Sequence, residues 1–184
     1  MKLLKTYIAL LRGINVSGQK KIRMAELKDH IAELGWEAIH TYIQSGNIIF
    51  KSAETDPEEL AQKLKQKLQD KYGFDVPTLV LEPLELVHVI NNNPFTQDPD
   101  KAIERLAVTF LFETPQDELV KKIMEQEQTN EHFIIDKKYI FLYYPDGFGK
   151  VVMGNNAFEK ALKVEATTRN WRTVNKLYEM TSDG

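Results

Sequence analysis

The run Thr6-Tyr7-Ile8-Ala9-Leu10-Leu11 is apolar almost throughout and is closed by the charge of Arg12. Alternate side chains of a strand point to opposite faces, so this strand has no face to give to water. It must lie inside a sheet that is covered on both sides. The chain therefore has to build a layered α and β structure around its own first strand. The segment after the strand, Gly13-Ile14-Asn15-Val16-Ser17-Gly18, is polar and turn-forming.

The rest of the chain supplies the partners. Met24, Leu27, Ile31 and Leu34 recur at helical spacing and form one apolar stripe, and Gly35 stands where a left-handed cap is needed. Ala38 to Ile43 and Asn47 to Phe50 are β-rich and meet at Ser45-Gly46, a hairpin signal. Asp56-Pro57 opens a second helix. Its carboxylate can take an orphan N–H, and proline lacks the N–H that would go unpaired at that position. Leu60, Leu64 and Leu68 face the core from this helix, and Gly73 stops it. Val76 to Leu81 is a fourth strand, and Pro83 to Ile90 a short helix.

The order β-α-β-β-α-β is the split βαβ, or ferredoxin-like, pattern. After the Asn-, Pro- and Asp-rich stretch that ends at Lys101, the pattern partly repeats. Leu106 to Phe112 is a strand, Thr114-Pro115-Gln116-Asp117 caps a helix, and Phe133–Ile135 and Tyr139–Tyr144 form a hairpin. Two short helices close the chain, the last with Thr168 as its cap. The expected class is α+β with two subdomains. Residues 1–92 form a ferredoxin-like one, residues 93–101 a linker, and residues 102–184 a partial βαββ repeat followed by C-terminal helices.

The totals narrow the chemistry. A formal net charge of −3 gives no global support for binding long nucleic acid, which rests on phosphate neutralisation. There is no cysteine, so disulfides, thiolate nucleophiles, iron–sulfur clusters and cysteine zinc sites are excluded. Arg12 ends the N-terminal apolar run too early for a signal peptide, and no apolar segment approaches the ~20 residues that span a bilayer. The expectation is a cytoplasmic protein with no membrane partner.

Topology gives the polar segments a meaning. In a ferredoxin-like sheet the first strand lies beside the third and runs opposite to it. The end of the first strand, Arg12 to Asn15, then meets the start of the third, Gln44 to Asn47. Arg12 offers a planar fork to a carboxylate or phosphate. Asn15, Gln44 and Asn47 offer amide donors and acceptors, and Ser45 a hydroxyl. The same residue types also serve turns for their own sake. A third segment, Thr168-Arg169-Asn170-Trp171, is expected at a helix N-terminus, where free N–H groups suit an anion. Arg169 there would face an acidic group, either a ligand or a carboxylate of the protein.

Sharper motifs fail. Gly13 to Lys20 has the span of a phosphate loop, but Gln19 interrupts its Gly-Lys-Ser/Thr ending. Ser17 and Lys20 have Ser-Lys acylase spacing without the companion motifs, and Gln44-Ser45-Gly46-Asn47 lacks the glycines of a nucleophile elbow. His30, His40, His88 and His132 have no metal-ligand spacing. No metal site, cofactor or reaction can be named, and nothing indicates an oligomeric state.

Four stretches together resemble the bacterial family of uncharacterised proteins known as DUF1697. They are Leu11-Arg12-Gly13-Ile14-Asn15-Val16, Thr41-Tyr42-Ile43-Gln44-Ser45-Gly46-Asn47, Asn92-Asn93-Pro94-Phe95 and Ala166-Thr167-Thr168-Arg169-Asn170-Trp171. The resemblance spans nearly the whole chain and implies two α+β subdomains of ferredoxin-like character, with no established activity. Position 17 is Ser where the family usually has Gly, which weakens a Ser-Lys mechanism.

The functional expectation is a small anionic ligand held in a cleft between the subdomains by Arg12, Asn15, Gln44, Ser45, Asn47, Arg169 and Asn170. Two alternatives stand beside it. One is single-stranded nucleic acid stacked on sheet aromatics such as Tyr7, Tyr42 and Phe50. The other is a structural or interaction domain whose polar segments only fix its frame.

Overall fold

The computed structural model describes residues 3–125 and 129–182. Met1 and Lys2, which open the N-terminal apolar run, lie outside these residues. The chain divides into two units, Met1–Val87 with Lys176–Gly184, and His88–Asn175.

The first unit has a four-stranded antiparallel sheet. Its strands are β1 (Lys5–Leu11), β2 (Glu37–Tyr42), β3 (Asn47–Ser52) and β4 (Thr78–Leu81), in the order β2-β3-β1-β4. β1 is central, as its apolar run requires: Tyr7, Ile8, Ala9, Leu10 and Leu11 are all fully buried. It is antiparallel to β3, with Leu10 opposite Asn47, and to β4, with Leu11 opposite Thr78.

Helices α1 (Met24–Ala32) and α2 (Pro57–Tyr72) cover one face. Leu27 and Ile31 of α1 and Leu60, Leu64 and Leu68 of α2 pack with Tyr7, Ala9, Leu11, Ile48 and Phe50. Each such large apolar side chain contributes about 1.5–3 kcal/mol by leaving water. The signals that start and stop α2 act as expected. Asp56 accepts the Glu58 N–H at 2.9 Å, and Gly73 adopts a left-handed φ of 75°.

The second unit has its own four-stranded antiparallel sheet, in the order β6-β7-β5-β8. The strands are β5 (Leu106–Leu111), β6 (His132–Asp136), β7 (Tyr139–Tyr143) and β8 (Ala166–Asn170), with α4 (Asp117–Met124) and α5 (Asn155–Leu162) between them. α3 (Pro83–Asn92) and α6 (Trp171–Ser182) each cross a boundary between the units.

β8 corrects the reading of Thr168 as a helix cap. Ala166 to Asn170 pairs with β5, Arg169 opposite Val108. The second unit therefore carries a full β-α-β-β-α-β order where the sequence pattern showed only βαββ and helices. Ala-Thr-Thr-Arg-Asn has no apolar alternation, so its own residues do not announce a strand. Backbone pairing to the buried β5 decides it.

Candidate functional site

The segment after β1 is a basic excursion pinned at its ends. Ile14 and Ile22 are buried and hold it to the core. Between them, Val16 and Gln19 close a tight turn in which Ser17 and Gly18 both have positive φ, 49° and 75°. This is the primed-turn geometry of hairpins. Position 17 thus sits in the left-handed region that favours glycine, the residue that the family resemblance puts there.

Asn15 is the clasp. Its Nδ2 donates to Ile22 O and to Gln44 O, both at 2.9 Å, while its Oδ1 accepts from Ile22 N at 2.9 Å. The backbone adds two links at the strand end. Leu11 N donates to Gly46 O at 2.8 Å, and Arg12 N to Pro77 O at 2.9 Å. The expected meeting of Arg12–Asn15 with Gln44–Asn47 is thus a physical contact.

The neighbouring turn is built as tightly. Asn47 is fully buried, and its Nδ2 donates to Tyr42 O and Ser45 Oγ, both at 3.0 Å. Ile43 and Gly46 take left-handed φ values of 50° and 81°. Asn15 and Asn47 are therefore committed to the frame. Arg12 is half-buried, Ser45 is half-buried, and Gln44 is exposed. Residues 12–23 include Arg12, Lys20, Lys21 and Arg23 and no carboxylate, on a chain whose formal net charge is −3. Lys20 Nζ is fixed to Asp75 O, and Arg23 reaches Glu26 at 3.5 Å.

The other two residues expected at the site belong to the second unit. Arg169 lies in β8 and is only 6% exposed. Its Nη1 donates to Thr167 Oγ1 at 2.7 Å and to Thr168 O at 2.9 Å. Burial lowers its pKa to about 10, which leaves it a cation at neutral pH. Asn170, not Thr168, caps α6: its Oδ1 accepts from Thr173 N at 2.8 Å. Thr168 Oγ1 instead donates to Asn155 Oδ1 and pairs with the Thr109 hydroxyl, each at 2.6 Å. Asn170 and Trp171 also line a cavity of about 550 Å³ with Ile103, Glu104, Arg172 and Asn175.

The structure adds pairings that sequence reasoning missed. His88 Nε2 lies 3.1 Å from Asp136 Oδ2, and Asn92 Nδ2 lies 3.3 Å from His88 Nδ1. Since Asn92 can only donate through Nδ2, the ring proton belongs on Nε2, facing the carboxylate. Both ring nitrogens are then occupied, which suits a structural pair better than a free base. The one signal in the chain was the i,i+4 spacing of His88 and Asn92, because Asp136 is remote in sequence.

Glu131 was also missed. It is 7% exposed, and its carboxylate accepts from Val152 N at 2.7 Å and Met153 N at 2.6 Å. Nearby, burial and the Glu131 charge raise the Tyr144 hydroxyl far above its ordinary pKa, and that hydroxyl donates to Met153 O.

Two of the aromatics expected to stack bases are in the core. Tyr7 and Phe50 are fully buried, their rings 5.8 Å apart, and Phe50 stacks on Trp36 at 4.0 Å. Among the described residues, no group of three His, Asp or Glu side chains could hold a metal ion, and no helix is long and apolar enough to cross a membrane.

The family model described as a protein of unknown function (DUF1697) matches residues 4–141. Among solved structures, a conserved bacterial protein, SP0830 from Streptococcus pneumoniae, is 28% identical with a TM-score of 0.74. The match covers 97% of this chain and 99% of that one. No curated protein matches the chain.

Proposed function

The chain belongs to the DUF1697 family, and within that frame we propose that it binds a small anionic ligand at the edge of its first sheet. The ligand would lie over the loop after β1. Arg12 supplies a planar fork for a carboxylate or phosphate, and Lys20 and Lys21 supply further positive charge. Gln44 and Ser45 orient it from the adjoining turn. Asn15 and Asn47 hold the two walls in register, while Arg169 and Asn170 serve the frame of the second unit.

One observation carries this reading. The Asn15 side chain bonds Gln44 O at 2.9 Å, so a loop with four cations and no carboxylate is held as a fixed wall against a polar turn. Preorganised charge of this kind saves the ordering cost that a mobile basic loop would meet on binding.

The test is a thermal-shift screen of anionic metabolites, nucleotides and inorganic pyrophosphate against the wild type and Arg12→Ala. A ligand at a hundredfold excess over its Kd adds ~2.7 kcal/mol of apparent stability. That corresponds to a rise of several degrees in a domain of this size. The expected result is a shift in the wild type that Arg12→Ala loses. Silence of the wild type across the panel would sink the proposal.

A further inference from the structure

The geometry points to a second, separate binding site in the first unit, for a small carboxylate with a short aliphatic body. It lies on the sheet face turned away from α1 and α2 and shares no residue with the Arg12 loop. A cavity of about 260 Å³ is lined there by Thr6, Ala38, His40, Ile49, Lys51, Met180 and Thr181. At ~30 Å³ for each water-sized group, this admits on the order of eight heavy atoms.

A local irregularity builds the cavity. Glu37 pairs with Lys51 and His40 with Ile49, and the register slips between them. In a regular strand Glu37 and His40, three apart, would point to opposite faces. The extra residue puts both on the face of Ile49 and Lys51. Ile39 meanwhile packs against the helix-covered core. Ala38 carries the distortion with a φ of 48°, a left-handed value that costs a residue with a Cβ about 1–2 kcal/mol. Such bulges are concentrated at sheet edges and beside functional sites, where they re-aim a side chain, and here the side chain re-aimed is His40.

The lining then divides by chemistry. Ile49, Ala38 and Met180 give an apolar floor and wall. Lys51 is a point charge on a flexible stem, suited to one anionic head, and His40 stands beside it as a hydrogen-bonding partner. Among the described residues neither side chain has a hydrogen-bond or ion-pair partner. Glu37, opposite Lys51 in the register, makes no ion pair with it. The end of α6 brings a partial negative charge, and Thr181 Oγ1 moderates it by donating to Tyr178 O at 2.6 Å. The full charge of Lys51 outweighs what remains of a half charge spread over the last turn.

The experiment is an NMR titration of the full chain with hexanoate, and in parallel with 1-hexanol as its uncharged counterpart. The expected result is a saturable shift of the Ile49, Lys51, Met180 and Thr181 amides by hexanoate, with a Kd of ~1 mM or tighter. Hexanol should bind at least tenfold more weakly, and Lys51→Met should cut hexanoate affinity at least tenfold. Glu37→Gln should strengthen hexanoate binding by removing the competing carboxylate. No saturable shift at these amides, or equal binding of acid and alcohol, overturns the inference. The acid–alcohol comparison uses the wild type alone, so it decides the matter even if Lys51→Met does not fold.

Discussion

The two sheets are laid out alike and finish their central strands with equivalent backbone bonds, but the loops that follow differ. In the first unit Leu11 N donates to Gly46 O at 2.8 Å and Arg12 N to Pro77 O at 2.9 Å; in the second, Leu111 N donates to Lys138 O at 2.8 Å and Phe112 N to Glu165 O at 2.9 Å. The same two backbone bonds end β1 and β5. Beyond them the chains part. The β1 loop runs from Arg12 to Arg23 and carries four cations, whereas the β5 loop runs only from Phe112 to Gln116. A repeated backbone frame is thus kept in both units, and the loop it supports is free to differ. The place to look for chemistry is where the units diverge.

The largest expected effects test whether the two cores are equivalent. Phe50 and Leu142 take corresponding places on β3 and β7, and both are fully buried. Phe50→Ala should cost about 3–5 kcal/mol and Leu142→Ala about 2–5 kcal/mol in denaturant unfolding. If either costs under about 1 kcal/mol, that unit's core is not the one described.

The next comparison is Gly46 against Lys138, whose carbonyls take the same bond. Gly46 has a φ of 81°, and a Cβ there would come within 2.5 Å of Leu11 Cβ. Gly46→Ala should therefore cost about 2–4 kcal/mol through backbone strain and overpacking. Lys138→Gly should cost less than about 1 kcal/mol. Equal costs would mean that the turns do not play corresponding roles.

Asn15 has no counterpart in the shorter β5 loop. Asn15→Ala removes three hydrogen bonds and leaves alanine at a φ of 54°. A loss of about 2–3 kcal/mol is expected. Hydrogen exchange at the Ile22 amide should quicken, and the anion-induced thermal shift should weaken even though no charge is removed. An unchanged anion shift would separate the clasp from the proposed binding.

The smallest effect is electrostatic. Hydrogen bonds from Lys71, Lys67 and His30 lower the Glu33 pKa from 4.5 to about 2. A carboxylate with a depressed folded pKa stabilises the fold above its unfolded value and loses that contribution as pH falls through the folded one. The stability difference between wild type and Glu33→Gln should be steady above pH 4.5, shrink below it and vanish near pH 2. Glu33 is solvent-exposed, so the difference will be small and reduced by salt. A pH-independent difference would show that the Glu33 charge is not what matters.

Much of this could be read from the chain, and the reason is local. The burial of β1 follows from its unbroken apolar run. The bounds of α2 follow from Asp56, Pro57 and Gly73, whose effects act within a turn. The convergence of Arg12 with Gln44 follows from element order, because a third strand antiparallel to the first and beside it must start where the first ends. What individual polar residues do once they arrive was not legible. Asn15, Asn47 and Asn170 look like ligand contacts in the sequence, yet each bonds its own backbone surroundings, since the same amide can serve a turn, a cap or a ligand.

Tertiary structure decided the rest. Ala166–Asn170 becomes a strand because β5 offers it an open row of backbone donors and acceptors. The His88–Asp136 pair forms between residues that only the fold brings together. The Lys51–His40 cavity exists because one extra residue in β2 reverses a face. The sequence by itself determined the layers and their order, since periodicity and caps act at short range. Which polar groups are spent on the frame was settled only by long-range packing.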